Sequence, residues 1–138
     1  MNIITSKDNE FVKHVKKLKE KKYRDICQSY IIEGIKLINE AINENANIKQ
    51  IVICEDCTKI DVIPKELMYE IAKYECVYVT KKIFDTLTDV VNPQGILAII
   101  EKDINNNEID YKSDIIVALD DIQDPGNLGT ILRAVDSV

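Results

Sequence analysis

The five consecutive apolar residues Ile96-Leu97-Ala98-Ile99-Ile100 constrain the fold of this 138-residue chain more than any other feature. A strand of that composition has no polar face. Both of its sides must be covered, which places it inside a sheet with helices on either face. The segments before it supply those helices and further strands. Phe11, Val15, Leu18 and the stem of Lys22 follow helical spacing, with Thr5 or Ser6 as the expected cap and Tyr23 as the approximate end. Tyr30-Ile31-Ile32 reads as a short strand stopped by Glu33-Gly34, and Ile35, Ile38, Ala41 and Ile42 give a second helical stripe. Ile48–Cys54 is β-branched and strand-like. Glu55–Val62 reads as a loop, and Pro64 suits a first helical turn before Leu67, Met68, Ile71 and Ala72. Cys76–Val79 is a further strand, Thr80 the cap of a helix carrying Ile83, Phe84 and Leu87, and Asn92-Pro93-Gln94-Gly95 a turn into the apolar strand. Helices and strands alternate, so the expected class is α/β with a parallel or mixed sheet covered on both faces.

The polar, Asn-rich stretch 103–113 has the composition of a linker, which puts the first domain at 1–102 and a second piece at 114–138. That piece opens with Ile115–Leu119, expected to be a strand, and stops at Ser137-Val138 within an amphipathic helix. The expectation is a truncated domain, since pieces below ~40 residues rarely fold without staples. The longest apolar runs are well short of the ~20 residues of a membrane span, and the first residues lack the pattern of a signal peptide, so a cytoplasmic location is expected.

The net charge is −6, but it is unevenly spread. Residues 1–24 carry eight Lys/Arg against three Asp/Glu, a balance of +5, and the remainder carries −11. Binding follows the local field, so Lys16, Lys17, Lys21, Lys22 and Arg24 are candidate contacts to RNA phosphates. Charge alone is equally compatible with a solvated helix face. Cys54-Glu-Asp-Cys57 has the spacing of a metal or redox pair. No second pair accompanies it, His14 is the only histidine, and the pair ends a strand rather than opening a helix; loop cysteines, reduced as in a cytoplasmic protein, and no metal are expected.

The densest chemical signal is Asp120-Asp-Ile-Gln-Asp-Pro-Gly-Asn-Leu-Gly-Thr-Ile-Leu-Arg133. It joins an apolar segment to a helix through a Pro125-Gly126 turn, with Gly129 allowing close approach and the helix start offering N–H groups to an anion. Arg133 lies about one and two-thirds turns after Asn127, ~600° around the axis, so the two do not share a face but can border one cleft. Neither phosphate-loop glycine pattern is present. A plain turn and cap with Arg133 on the surface is the structural alternative.

That string resembles the first signature motif of the SpoU/TrmH group of RNA 2′-O-ribose methyltransferases, in the SPOUT superfamily. Tyr30-Ile-Ile-Glu-Gly34 resembles the group's F-x-x-E-G segment, and Leu87-Thr-Asp-Val-Val-Asn-Pro-Gln-Gly-Ile-Leu-Ala98 resembles its Pro-Gln-Gly segment before the linker. The resemblance implies a three-layer α/β/α substrate-binding domain like a small RNA-binding ribosomal protein, then the start of a trefoil-knotted domain. It implies S-adenosylmethionine as cofactor, an RNA substrate, ribosomal rather than transfer RNA, and a homodimer of the whole enzyme. By match, Asn127 and Arg133 are the implied catalytic residues, with Arg133 holding a substrate phosphate; Glu33 and Gly34 match the substrate-domain segment without a catalytic role. The later motifs that build the knot and most of the cofactor pocket are missing, so no cofactor-binding residue is expected in this chain, which alone is expected to be inactive. The alternatives are a stand-alone RNA-binding module and a protein-interaction domain.

Overall fold

A computed structural model describes residues 3–56, 63–103, 111–112 and 115–137. The chain divides into two compact units, Met1–Ile104 and Asn105–Val138.

The first unit is built on a five-stranded mixed sheet: β1 (Ile3–Ile4), β2 (Ser29–Glu33), β3 (Ile48–Cys54), β4 (Cys76–Val79) and β5 (Ile96–Glu101), in the order β1-β4-β3-β5-β2. β4 runs parallel to β1 and β3, whereas β5 runs antiparallel to β3 and β2. Its register places Ile99 opposite Ile31 on one side and Gln50 on the other. Five helices accompany the sheet among the described residues: α1 (Glu10–Lys17), α2 (Lys21–Cys27), α3 (Ile35–Asn43), α4 (Lys65–Ile71) and α5 (Lys81–Leu87).

Two cores, one on each face, follow from the alternation of strand side chains. Val12, Val15 and Leu18 from the α1 region and Ile83, Phe84 and Leu87 of α5 pack with Val52, Val79, Leu97 and Ile99. Ile38 and Ile42 of α3 and Leu67 and Ile71 of α4 pack with Ile48, Ile51, Ile96, Ala98 and Ile100. β5 contributes to both cores, as its unbroken apolar run requires.

Several expectations are corrected. The first helix is not continuous to Tyr23: it ends at Lys17, and α2 begins at Lys21. Its cap is Asn9, whose side chain accepts from the Phe11 N–H at 2.9 Å, and not Thr5 or Ser6. Pro64 precedes α4 as its cap instead of lying within the first turn. β1 was not anticipated. Cys27 and Cys76 are free thiols, but Cys54 is disulfide-bonded, contrary to the expectation of reduced cysteines; Cys57 and most of the Glu55–Val62 loop lie outside the described residues.

Among the described residues of the second unit, α6 (Pro125–Asp136) is the helical element. Ile115–Leu119 forms no strand, and Ile115, Ile116, Val117 and Leu119 are exposed. A strand is defined by its ladder, and this segment pairs with no other among the described residues of its unit. No helix among the described residues is long and apolar enough to cross a membrane.

Candidate nucleic-acid interface

The cations of the N-terminal region lie around a corner between two short helices rather than along one helix face. The corner is held by Arg24, whose Nη1 donates to the Leu18 carbonyl at 3.2 Å and the Lys19 carbonyl at 2.6 Å. These carbonyls lie just past the end of α1, so the guanidinium satisfies groups that the helix itself leaves open. Lys19 turns inward to donate to the Thr88 carbonyl at 3.0 Å and to Asp89 Oδ1 at 2.8 Å. Lys13 pairs with Glu10 at 2.9 Å; this hydrogen bond holds the Glu10 carboxyl below its ordinary range and raises the Lys13 ammonium.

None of the five predicted RNA contacts, Lys16, Lys17, Lys21, Lys22 and Arg24, makes an ion pair among the described residues, and the Lys17 ammonium lies 5.6 Å from the centre of the Tyr23 ring. Lys17, Lys21 and Lys22 are exposed and Lys16 is half-buried. Lys21 and Lys22 open α2, where cations oppose the helix dipole. Arg24 differs from the lysines: it is half-buried and committed to the corner.

Beside this corner is a cleft of about 380 Å³. Its floor is apolar, from Leu18, Ile31 and Leu87, and its polar walls are Lys19, Arg24, Glu33 and Asp89; Tyr30 of the edge strand β2 also borders it. The two segments singled out upstream of the linker meet here. Thr88 Oγ1 donates to the Glu33 carboxylate, 2.7 and 2.8 Å from its two oxygens, and itself accepts from the Val90 N–H. The Gly34 N–H donates to the Ile96 carbonyl, and the Ile35 N–H to Gln94 Oε1 at 2.8 Å. Gly34 has φ +102°, and a Cβ there would lie 3.1 Å from Gln94 Oε1, so both conformation and space call for glycine. Sequence reasoning identified both segments but not their union, which spans 55 residues of chain for Glu33 and Thr88.

In the second unit, Asp124 caps α6, its Oδ1 accepting from Gly126 N–H at 2.6 Å and Asn127 N–H at 3.2 Å. The expected anion site at this helix start is therefore corrected: the chain's own carboxylate already occupies it. Arg133 folds back along the helix, Nη2 donating to Thr130 Oγ1 at 3.3 Å, with Nη1 3.5 Å from where a Gly129 Cβ would sit. Asn127 and Arg133 are both exposed, and no hydrogen bond joins them.

Residues 9–98 match the MRM3-like substrate binding domain family. The chain belongs to that family. It is 33% identical over 137 residues to the 23S rRNA (guanosine(2553)-2′-O)-methyltransferase RlmP of Bacillus subtilis, covering 99% of this chain and 51% of that protein. It superimposes on the crystal structure of an RNA 2′-O ribose methyltransferase with a TM-score of 0.71 and 27% identity, covering 99% of this chain and 52% of that one. A second neighbour is the AdoMet-bound rRNA methyltransferase of Sinorhizobium meliloti, with a TM-score of 0.59 and 28% identity over 74% of this chain and 37% of that one. The resemblance to SpoU/TrmH-type rRNA 2′-O-methyltransferases is thus upheld, as is a mixed α/β fold of their kind. The chain spans about half the length of the Bacillus relative.

Proposed function

We propose that this chain is the RNA-recognition part of a longer rRNA 2′-O-ribose methyltransferase that uses S-adenosylmethionine. The observation carrying this reading is the end-to-end similarity to one half of a methyltransferase so described, across both the substrate-domain match and the Asp120–Arg133 string. In this reading, 1–102 is the RNA substrate-binding domain with a ribosomal-protein-like α/β/α sandwich. Residues 103–113 are a linker, and 114–138 begin a trefoil-knotted catalytic domain through which the enzyme forms a homodimer in the cytoplasm.

S-adenosylmethionine would supply the methyl group. The first N–H groups of α6 are taken by Asp124, and most of the helix's side chains are exposed. The cofactor pocket in this proposal belongs to the remaining half of the enzyme. What this chain contributes to chemistry is Arg133, a permanent cation able to fix a ribose phosphate by two parallel N–H contacts, and Asn127, which positions. Lys16, Lys17, Lys21 and Lys22 contribute the phosphate contacts that hold the RNA, and Arg24, the fifth expected contact, holds the corner that presents them.

The test is methyl incorporation into ribosomal RNA by the full-length enzyme, with cofactor affinity measured separately. Arg133→Ala lowers turnover far more than cofactor affinity, and Arg133→Lys is impaired as well because the planar fork is lost. Near-normal turnover in Arg133→Ala reduces Arg133 to a surface residue. Replacing Lys16, Lys17, Lys21 and Lys22 with alanine lowers RNA affinity and flattens the log–log salt dependence by about one unit for each phosphate no longer neutralised. An unchanged salt slope leaves those lysines as a solvated face.

A further inference from the structure

The cleft beside the α1–α2 corner differs in electrostatic character from the lysines around it. Its four charged walls cancel. Lys19 is paired with Asp89 at 2.8 Å, leaving the Arg24 guanidinium and the Glu33 carboxylate as one cation and one anion. Arg24 has no carboxylate within ion-pair distance among the described residues. Two backbone carbonyls fix it through Nη1, so its remaining N–H groups and its planar face are held in place at no further ordering cost. Glu33 is held from the other side by Thr88 Oγ1, a single hydroxyl donor shared between its two oxygens, which leaves acceptor capacity on both.

A neutral, dipolar cleft with an apolar floor is a poor phosphate site. The polyanionic backbone of a nucleic acid is drawn instead to the unpaired Lys16, Lys21 and Lys22, and Lys21 lies one turn from Arg24 on α2. The cleft has the attributes of a base site: a flat guanidinium, an apolar floor and a fixed acceptor pair. Unpaired RNA bases are recognised by stacking on aromatic rings or arginine planes, with hydrogen bonds to the base edge. The volume of about 380 Å³ falls in the range of roughly 300–1,000 Å³ typical of ligand sites.

We infer that the cleft formed by Arg24, Glu33 and the Leu18–Leu87 floor is a nucleobase subsite that accepts one unpaired guanine. A carboxylate is acceptor-only, and guanine presents two adjacent N–H donors, N1–H and the N2 amino group, on its Watson–Crick edge. Uracil presents one donor between two acceptor carbonyls, and adenine and cytosine each place a ring acceptor beside their amino group. The carboxylate selects guanine by matching both donors and by repelling the acceptors of the other bases. The inference rests on the RNA-recognition reading above but adds to it a base-selective contact that the lysines do not supply.

The experiment is an amide NMR titration of the 138-residue chain with 5′-GMP and, separately, 5′-UMP, which carry the same phosphate and sugar. The expected result is that GMP shifts Lys19, Arg24, Tyr30 and Glu33 and saturates at a concentration at least about fivefold lower than UMP, the low end of what a two-point base contact provides. Glu33→Gln, which retains an acceptor for Thr88, removes the preference. Arg24→Lys, which keeps the charge but loses the planar face, weakens GMP binding. Equal affinities, shifts confined to the lysines, or a preference that survives Glu33→Gln overturn the inference. A uridine hexanucleotide titrated at several salt concentrations separates it from the parent reading. Salt-dependent binding of that RNA with no cleft shifts from GMP sinks the subsite alone. GMP in the cleft with no binding of the RNA sinks the RNA-recognition reading and leaves a guanine-nucleotide site.

Discussion

The two units of the chain present opposite solutions to the same requirement, that backbone polar groups be paired. In Met1–Ile104, every strand has a partner and the side chains between sheet and helices are buried: Phe84, Ile51, Ile83, Ile96, Leu97 and Ile99 are each 0% exposed. Among the described residues of Asn105–Val138, the paired backbone is that of one helix, capped by the residue before it, and Leu128, Leu132 and Val135 remain exposed. A helix satisfies its backbone locally and needs only a start signal. A strand needs a second strand, and so the apolar segment Ile115–Leu119 stays without regular structure while the similarly apolar Ile96–Ile100 lies in the most buried of the described strands.

The largest effect that sharpens this contrast comes from matched truncations. Phe84→Ala removes a fully buried ring from the α1–α5 core and is expected to cost about 3–5 kcal/mol in urea unfolding of the chain. Leu132→Ala removes side-chain volume from an exposed position on α6 and is expected to leave the same transition unmoved. Comparable losses for the two would show that α6 is packed in solution and would break the comparison.

A smaller effect isolates the local signal. Asp124→Ala removes the acceptor for two N–H groups of α6, and is expected to weaken the helix by about 0.5–2 kcal/mol. Because α6 has no buried residue to support it, the loss appears as faster amide exchange across Asn127–Ile131, with no change at Ile96–Ile100. Exchange slowed or unaltered in α6 would mean that something other than its cap holds it.

The same distinction between local and distant determinants explains which parts of the fold could be read from sequence. β3 and β5 were legible because runs of four and five apolar residues, Ile51–Cys54 and Ile96–Ile100, admit little else. α3, α4 and α5 were legible from 3.6-residue spacing. β1 was not, since two residues carry no periodicity and Ile3–Ile4 pairs only because β4 lies beside it. The break between α1 and α2 was hidden because Lys19 and Glu20 are good helix formers; the break is fixed by Arg24 taking the carbonyls of residues 18 and 19 and by Lys19 reaching Thr88 and Asp89. In the candidate site, the basic residues were legible as composition, and the Tyr30–Gly34 and Thr88–Gly95 segments as resemblances. Their joining through Glu33–Thr88 and Ile35–Gln94 depends on the crossing of the sheet, which no local pattern encodes.

The smallest effect tests the trailing edge of the first unit. Lys102 follows β5 and is tied to the α2 region twice, by its N–H to the Gln28 carbonyl at 2.7 Å and by its ammonium to Asp25 Oδ1 at 2.8 Å. That hydrogen bond, helped by the charges of Lys102, Lys21 and Arg24, holds the Asp25 carboxyl below the ordinary carboxylate range. A group whose acidity is strengthened on folding stabilises the fold above its unfolded pKa, and that stabilisation disappears as pH falls through the lower, folded value. Asp25→Asn is therefore expected to melt slightly earlier than the parent at pH 7 and to converge with it once the medium is acidic enough to protonate Asp25. Both partners face solvent, so the shift is small and is further reduced in 1 M salt. A difference that persists unchanged into acid would mean that Asp25 acts through the geometry of the α2 turn and not through its charge, and that the backbone bond from Lys102 alone secures this edge.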